Sequence, residues 1–115
     1  SLLQAHIERE INGYALVKDA ILNAKIARPE ETPLVMDVGA NHGLYSLFAA
    51  ALGADVITLE PQEHLCRVIN TAMGLNDFHS AGTPAGQITL YHNAALNSHE
   101  TVTMADASVA EVRKP

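Results

Sequence analysis

Leu34-Val35-Met36-Asp37-Val38-Gly39-Ala40-Asn41-His42-Gly43-Leu44-Tyr45-Ser46-Leu47-Phe48, continuing through Ala49-Ala50-Ala51-Leu52 to Gly53, is the stretch that decides how this chain is read. It opens with a short apolar run after Pro33, which reads as a buried strand over residues 34–38. Gly39 and Gly43 then bracket a tight turn. Beyond it Leu44, Leu47, Phe48, Ala51 and Leu52 recur at the spacing of one helix face, and Gly53 supplies the stop. Glycines let a backbone pass close to a ligand, and a helix N-terminus offers free N–H donors. Strand, glycine turn and helix together predict the first half of a βαβ unit of the nucleotide-binding type.

Outward from this unit, residues 1–28 read as a helix. Leu3, Ile7, Ile11, Tyr14, Val17, Ile21 and Ala24 fall at steps of three or four, predicting a face that caps the core. Gly13 costs this helix about 1 kcal/mol against alanine. Pro29 ends it, and residues 1–33 are expected to form an N-terminal helix and linker, with residues 34–115 as the ligand-binding domain. Downstream, residues 55–60 read as a second strand ending in Glu60. Pro61 is placed in the first turn of a helix with stripe Leu65, Val68, Ile69, Ala72 and Met73, closed by Gly74. Residues 76–86 hold turn formers and predict an exposed loop. Residues 87–92 read as a third strand, and residues 101–104 as a short fourth, hairpinned to the third. The tail yields no assignment. The alternation predicts an α/β, Rossmann-like, three-layer αβα domain with a parallel sheet, first strand beside second and second beside third, incomplete at its C-terminal end.

Composition narrows the partners. The 115-residue chain is 48% apolar, has a formal charge of −6, and contains no apolar run near the roughly 20 residues of a membrane span. Between Arg28 and Arg113 the only Lys or Arg is Arg67, so the centre lacks the cationic patch that nucleic acid or a polyphosphate requires. One cysteine, Cys66, excludes an internal disulfide and fits a reducing, cytoplasmic compartment. Its place beside an apolar stripe suits a small buried side chain. The six histidines show no recognised ligand spacing, so no metal site is expected.

The strand ends carry the chemistry. In a parallel sheet ligands lie beyond the carboxyl ends of the strands. These ends hold residues 37–43, 60–62 and 92–94. Glu60 stands 21 residues after Gly39, where an acid accepts both hydroxyl hydrogens of a ribose; the alternative is an acid that caps the next helix. Asp37 stands at the mouth of the turn, where it would repel a pyrophosphate, and Gly39-Ala40-Asn41-His42-Gly43 departs from the dinucleotide fingerprint. A nicotinamide-dependent oxidoreductase is therefore disfavoured. S-adenosylmethionine offers an ammonium and a sulfonium to nearby acids, a ribose to Glu60, and an adenine to the space between Glu60 and the third strand. Asp37 can equally serve as a buried acid that holds local donors.

The segments Val-Met-Asp-Val-Gly-Ala-Asn-His-Gly-Leu-Tyr-Ser-Leu, Leu-Glu-Pro, and Tyr-His-Asn-Ala-Ala-Leu ahead of Thr-Val-Thr-Met resemble class I S-adenosylmethionine-dependent methyltransferases, more narrowly the FkbM type. The resemblance spans residues 34–104. It implies that Asp37, Gly39, Ala40, Asn41, Gly43, Tyr45 and Ser46 hold the methionine part of the cofactor. By the same likeness Glu60 and Pro61 hold the ribose, and Asn93 and Ala94 the adenine side. It implies methyl transfer to an O or N acceptor, a small molecule or glycan, without assigning a base. His42 departs from the aliphatic residue usual there, the loop at 76–86 is long, and the later strands of the family have no counterpart. A non-catalytic nucleotide-fold module that binds ligand or protein is the second reading. The apolar first strand would lie at a sheet edge, from which self-association is expected.

Overall fold

The computed structural model describes residues 1–79 and 85–98, together with the short strands Thr103–Met104 and Val112–Arg113. The elements are α1 (Leu2–Ala27), β1 (Leu34–Val38), α2 (Leu44–Ala51), β2 (Asp55–Leu59), α3 (Glu63–Leu75), β3 (Ile88–Tyr91), β4 (Thr103–Met104) and β5 (Val112–Arg113). β1, β2 and β3 form a parallel sheet in that order, as the alternation of strands and helices predicted. The Gly53 stop also appears: α2 ends at Ala51, and Gly53 follows with φ 93° and donates its N–H to the Ala50 carbonyl.

Register assigns the two faces of the sheet. Val35, Val56 and Ile88 lie side by side, as do Asp37, Thr58 and Leu90, so these six share one face. That face meets one hydrophobic core, built with Ile21 of α1, Ala49 and Ala50 of α2, Ile69 and Met73 of α3, and Phe78. The opposite face carries Leu34, Met36, Val38, Ile57, Leu59 and Tyr91. No described helix covers it: Leu34, Met36 and Val38 are 69%, 62% and 53% exposed. The α/β fold is as read, and the described residues build two of its three layers.

Several boundaries differ for physical reasons. α1 caps the core with its C-terminal half only, through Val17 and Ile21, while Leu3, Ile7 and Ile11 stay exposed. Its 26 residues make a rod about 39 Å long, whereas a five-residue strand spans about 17 Å. The helix overruns the sheet. Pro61 lies before α3, whose N-cap is Gln62, and Gly74 falls inside that helix, which runs to Leu75. The loop after α3 is not wholly exposed, because Phe78 folds back into the core at 4% exposure; residues 80–84 lie outside the described set. β4 pairs antiparallel with β5 and not with β3, which corrects the expected hairpin. The tail supplied a partner that its sequence did not announce.

Gly43 joins turn to core. Its φ of 82° lies in the left-handed region, and a Cβ there would stand 2.7 Å from Cγ1 of Ile69, itself fully buried. Gly43→Ala is therefore expected to cost roughly 1–3 kcal/mol, combining left-handed strain with overpacking. Urea unfolding measures it, and a loss within experimental error would mean that the turn relaxes freely.

Candidate functional site

The glycine turn is pinned to the end of β2 by backbone hydrogen bonds and by the Glu60 side chain. Gly39 and Ala40 both donate to the Leu59 carbonyl, at 2.8 and 3.2 Å, and Gly43 donates back to Ala40 at 2.9 Å. Three of its five residues are left-handed: Gly39 at φ 71°, Asn41 at 56° and Gly43 at 82°. Asparagine is among the few non-glycine residues that adopt this region readily. A Cβ on Gly39 would meet nothing within 4 Å, so the turn opens onto free space at its first residue.

Glu60 lies beneath this turn and is 1% exposed. Its Oε1 accepts the Asn41 N–H at 2.8 Å, and its Oε2 accepts the Gln62 N–H, also at 2.8 Å. In the free chain this acid braces two turns at once, while the N-cap of α3 is Gln62 and not Glu60. A carboxylate offers about four acceptor positions, so two remain for a ligand that displaces or joins these donors.

Asp37, next to last in β1, lies on the covered face. Its Oδ2 accepts the Ser46 hydroxyl at 2.6 Å, and Ser46 Oγ lies 2.7 Å from Thr58 Oγ1. Ser46 has one proton and gives it to the carboxylate, so the Thr58 hydroxyl donates to Ser46. Both hydroxyl residues are fully buried. Ser46, fully buried, thus supports the half-buried Asp37.

Tyr45 turns toward α1. Its ring stacks on Tyr14 with centroids 4.5 Å apart and planes at 22°, while Phe48 meets Tyr14 edge-on at 5.0 Å. The Tyr45 hydroxyl donates to Glu10 Oε2 at 3.4 Å. That hydroxyl presses against Gly13, where any Cβ would overlap it. The glycine that weakens α1 as a helix therefore makes room for the aromatic stack. Both phenols are pushed above their ordinary range, by burial first and then by the charge of Glu10, with Asp37 also contributing.

The third strand end is tied in by backbone and one side chain. Glu60 donates its N–H to the Tyr91 carbonyl at 3.1 Å, and His92 donates from Nε2 to the Pro61 carbonyl at 2.8 Å. Asn93, exposed, and Ala94, half-buried, leave the sheet here. Cys66 donates its thiol to the Glu60 carbonyl at 3.1 Å, and burial first, then Glu60 and Glu63, push that thiol up. It is a packed side chain with little thiolate character. Arg67 pairs with Glu63 at 3.0 Å on the exposed side of α3. Among the described residues no three His, Cys, Asp or Glu side chains gather as metal ligands, and no helix is long and apolar enough to cross a membrane.

The structure thus brings Asp37, residues 39–43, Glu60 and Pro61 to one end of the sheet, with Asn93 and Ala94 alongside. Glu10, Tyr14 and Thr58 join them unannounced, and Gln62 lies there with residues 60–62 as the sequence placed it. The alternation of Val56, Thr58 and Glu60 on one strand face was a signal for Thr58; nothing local marked the pairing of Tyr14 with Tyr45.

The phenols set a pH dependence. In the folded chain Tyr14 and Tyr45 lose their protons above the unfolded value of about 10. Over that interval the folded state binds more protons, so stability falls as pH rises from about 10 through the raised values and is unaffected by these groups below it. Urea unfolding across alkaline pH is expected to show this decline. Glu10→Gln should move the phenolate absorbance transition downward; an unmoved transition would separate Glu10 from the tyrosines.

No protein-family model matches the sequence, and no curated protein sequence matches it either. Among solved structures the chain is similar to the S-adenosylmethionine-dependent methyltransferase from Agrobacterium tumefaciens, with TM-score 0.58, 21% identity, and coverage of 75% of this chain and 24% of that one. The chain spans about a quarter of that protein's length. What this similarity shows is the fold: the chain has the Rossmann-like α/β architecture of an S-adenosylmethionine-dependent methyltransferase.

Proposed function

We propose that the chain is the cofactor-binding part of an S-adenosylmethionine-dependent methyltransferase of the FkbM type. The observation that carries this reading is a glycine turn open at Gly39 and flanked by the acids Asp37 and Glu60, with no Lys or Arg but Arg67 anywhere from residue 29 to 112. Such a mouth repels phosphates and favours a ligand rich in donors and positive charge. S-adenosylmethionine supplies an electrophilic methyl group when bound. Asp37, steadied by Ser46 and Thr58, would face its cationic methionine part together with Gly39, Ala40, Asn41 and Gly43. Tyr45 would border that part through its stack on Tyr14. Glu60 and Pro61 would take the ribose, and Asn93 and Ala94 the adenine side. Methyl transfer is an in-line displacement in which positioning supplies much of the rate, with a base needed only for a protonated O or N acceptor. The acceptor is a small molecule or glycan under this reading.

Calorimetric titration with S-adenosylhomocysteine, against NAD as control, tests it. Binding of the first and not the second is expected. Glu60→Ala should weaken binding by about 1.5–3 kcal/mol, and Gly39→Val, which fills the open space at the start of the turn, should abolish it. A folded Glu60→Ala chain with unchanged affinity would leave Glu60 as a brace alone. S-adenosylhomocysteine binding without turnover of labelled S-adenosylmethionine would favour the non-catalytic module for this chain.

We also propose a second copy as partner of the bare sheet edge. The support is β1: among the described residues one of its edges is unpaired, and its outward side chains are Leu34, Met36 and Val38. Sedimentation is expected to show association that grows with concentration and is reduced by Met36→Lys. A monomer at all concentrations would refute it.

A further inference from the structure

α1 lies along α2 in the opposite direction. Lys25 donates to the Leu52 carbonyl at the C-terminal end of α2, while Glu10, Gly13 and Tyr14 meet Tyr45 in its first turn. α2 begins just after β1 ends, so residues 2–9 of α1 run on past the carboxyl ends of the strands. That overhang is about 12 Å long.

The contacts with Tyr45 fix which way the overhang faces. At 3.6 residues per turn Leu3 lies within about 20° of Glu10 around the helix, and Ile7 within about 20° of Tyr14. Glu10 and Tyr14 both touch Tyr45, so Leu3 and Ile7 carry the same face outward beyond it, with Ile11 alongside. These three side chains are 68%, 48% and 60% exposed. Tyr45 stands two residues after Gly43, and the charge of Asp37 reaches both Tyr14 and Tyr45. The apolar face is therefore a wall beside the mouth of the glycine turn.

Glu10 stands at the foot of this wall and is half-buried. Among the described residues its carboxylate accepts one hydrogen bond, the long one of 3.4 Å from Tyr45, and makes no ion pair. The paired cations lie elsewhere, Arg28 with Glu31 and Arg67 with Glu63. An anionic acceptor would be repelled here by Glu10 and Asp37 together. A glycan would lay hydroxyls on a wall that returns no hydrogen bonds at Leu3, Ile7 or Ile11.

We propose that the methyl acceptor is a hydrophobic amine, its apolar body along Leu3, Ile7 and Ile11 and its amino group received by Glu10 beside the tyrosine rings. This rests on the reading of the glycine turn as an S-adenosylmethionine site and narrows its acceptor to an apolar nitrogen compound. The ammonium form meets Glu10 in a charge-assisted hydrogen bond next to aromatic faces, which also attract a cation. For transfer it first releases a proton to solvent. The nitrogen lone pair then forms the bond to the methyl carbon, and the carbon–sulfur bond breaks with its electron pair left on sulfur.

Octylamine is the probe, with octanoate and maltose beside it, titrated calorimetrically into the full chain saturated with S-adenosylhomocysteine. Octylamine is expected to bind and the other two are not. Glu10→Gln should weaken octylamine about 10-fold, and Ile7→Gln about 5-fold. Leu16→Gln, at a site 72% exposed on the far side of the helix, should leave it unchanged. Octanoate or maltose binding as well as octylamine overturns the proposal from the wild-type chain alone, even if a variant fails to fold. Unchanged octylamine affinity in folded Glu10→Gln or Ile7→Gln overturns it too. If Ile7→Gln alters sedimentation and not octylamine binding, the wall seats a second copy and the proposal falls. No binding of S-adenosylhomocysteine refutes the cofactor reading and this inference with it. Its binding without that of octylamine removes the hydrophobic amine alone.

Discussion

The Glu60 carboxylate, accepting Asn41 N–H on one oxygen and Gln62 N–H on the other, holds together the two turns at the carboxyl end of the sheet. Burying a carboxylate at 1% exposure costs less when both of its oxygens accept hydrogen bonds, and these two donors supply one to each. In return the left-handed backbone at Asn41 has an acceptor for its N–H, and the start of α3 is fixed against β2. The turn after β1 and the helix after β2 are thereby locked to one another. Both proposed cofactor contacts take their positions from that bridge.

A second constraint comes from the uneven dressing of the sheet. Val35, Val56 and Ile88 share one face with Asp37 and Thr58, and α1, α2 and α3 converge on it. Hydrophobic burial therefore works on one side only. The other side, with Leu34, Met36 and Val38 open to solvent, is as apolar as a core face without being one. An apolar area of this kind is what the proposed second copy would cover. The same asymmetry explains why Asp37, though on the covered face, needs the Ser46–Thr58 relay: an acid among apolar neighbours must have its donors supplied by buried hydroxyls.

Charge distribution ties the N-terminal helix to the site. Glu10 and Asp37 both raise the phenols of Tyr14 and Tyr45, so the aromatic stack sits in negative potential. Arg67, the central cation, is engaged with Glu63 on the far side of α3. The end of the sheet is consequently a place of acceptors and aromatic faces, suited to a ligand with donors and a positive centre. α1 is part of that environment through Glu10, Gly13 and Tyr14, although its sequence reads as a simple amphipathic cap.

The strand–turn–helix unit, the order of the three parallel strands and the grouping of residues 37–43, 60–62 and 92–94 were legible in the sequence. They depend on local rules: apolar runs make strands, glycines permit left-handed turns, and parallel crossovers bring strand ends together. Helix limits at Pro61 and Gly74 were misplaced because capping depends on neighbours beyond the local pattern, as did the exposure assigned to the loop holding Phe78. Tertiary structure alone decided that Glu60 braces the turn at Asn41, that Ser46 supports Asp37, and that Gly13 receives the Tyr45 hydroxyl. Each is a contact between different elements of the chain, and the rules of a single helix or strand contain no term for it. β4 found β5 for the same reason: residues 101–104 read as a strand, but nothing in the tail marked Val112–Arg113 as its partner.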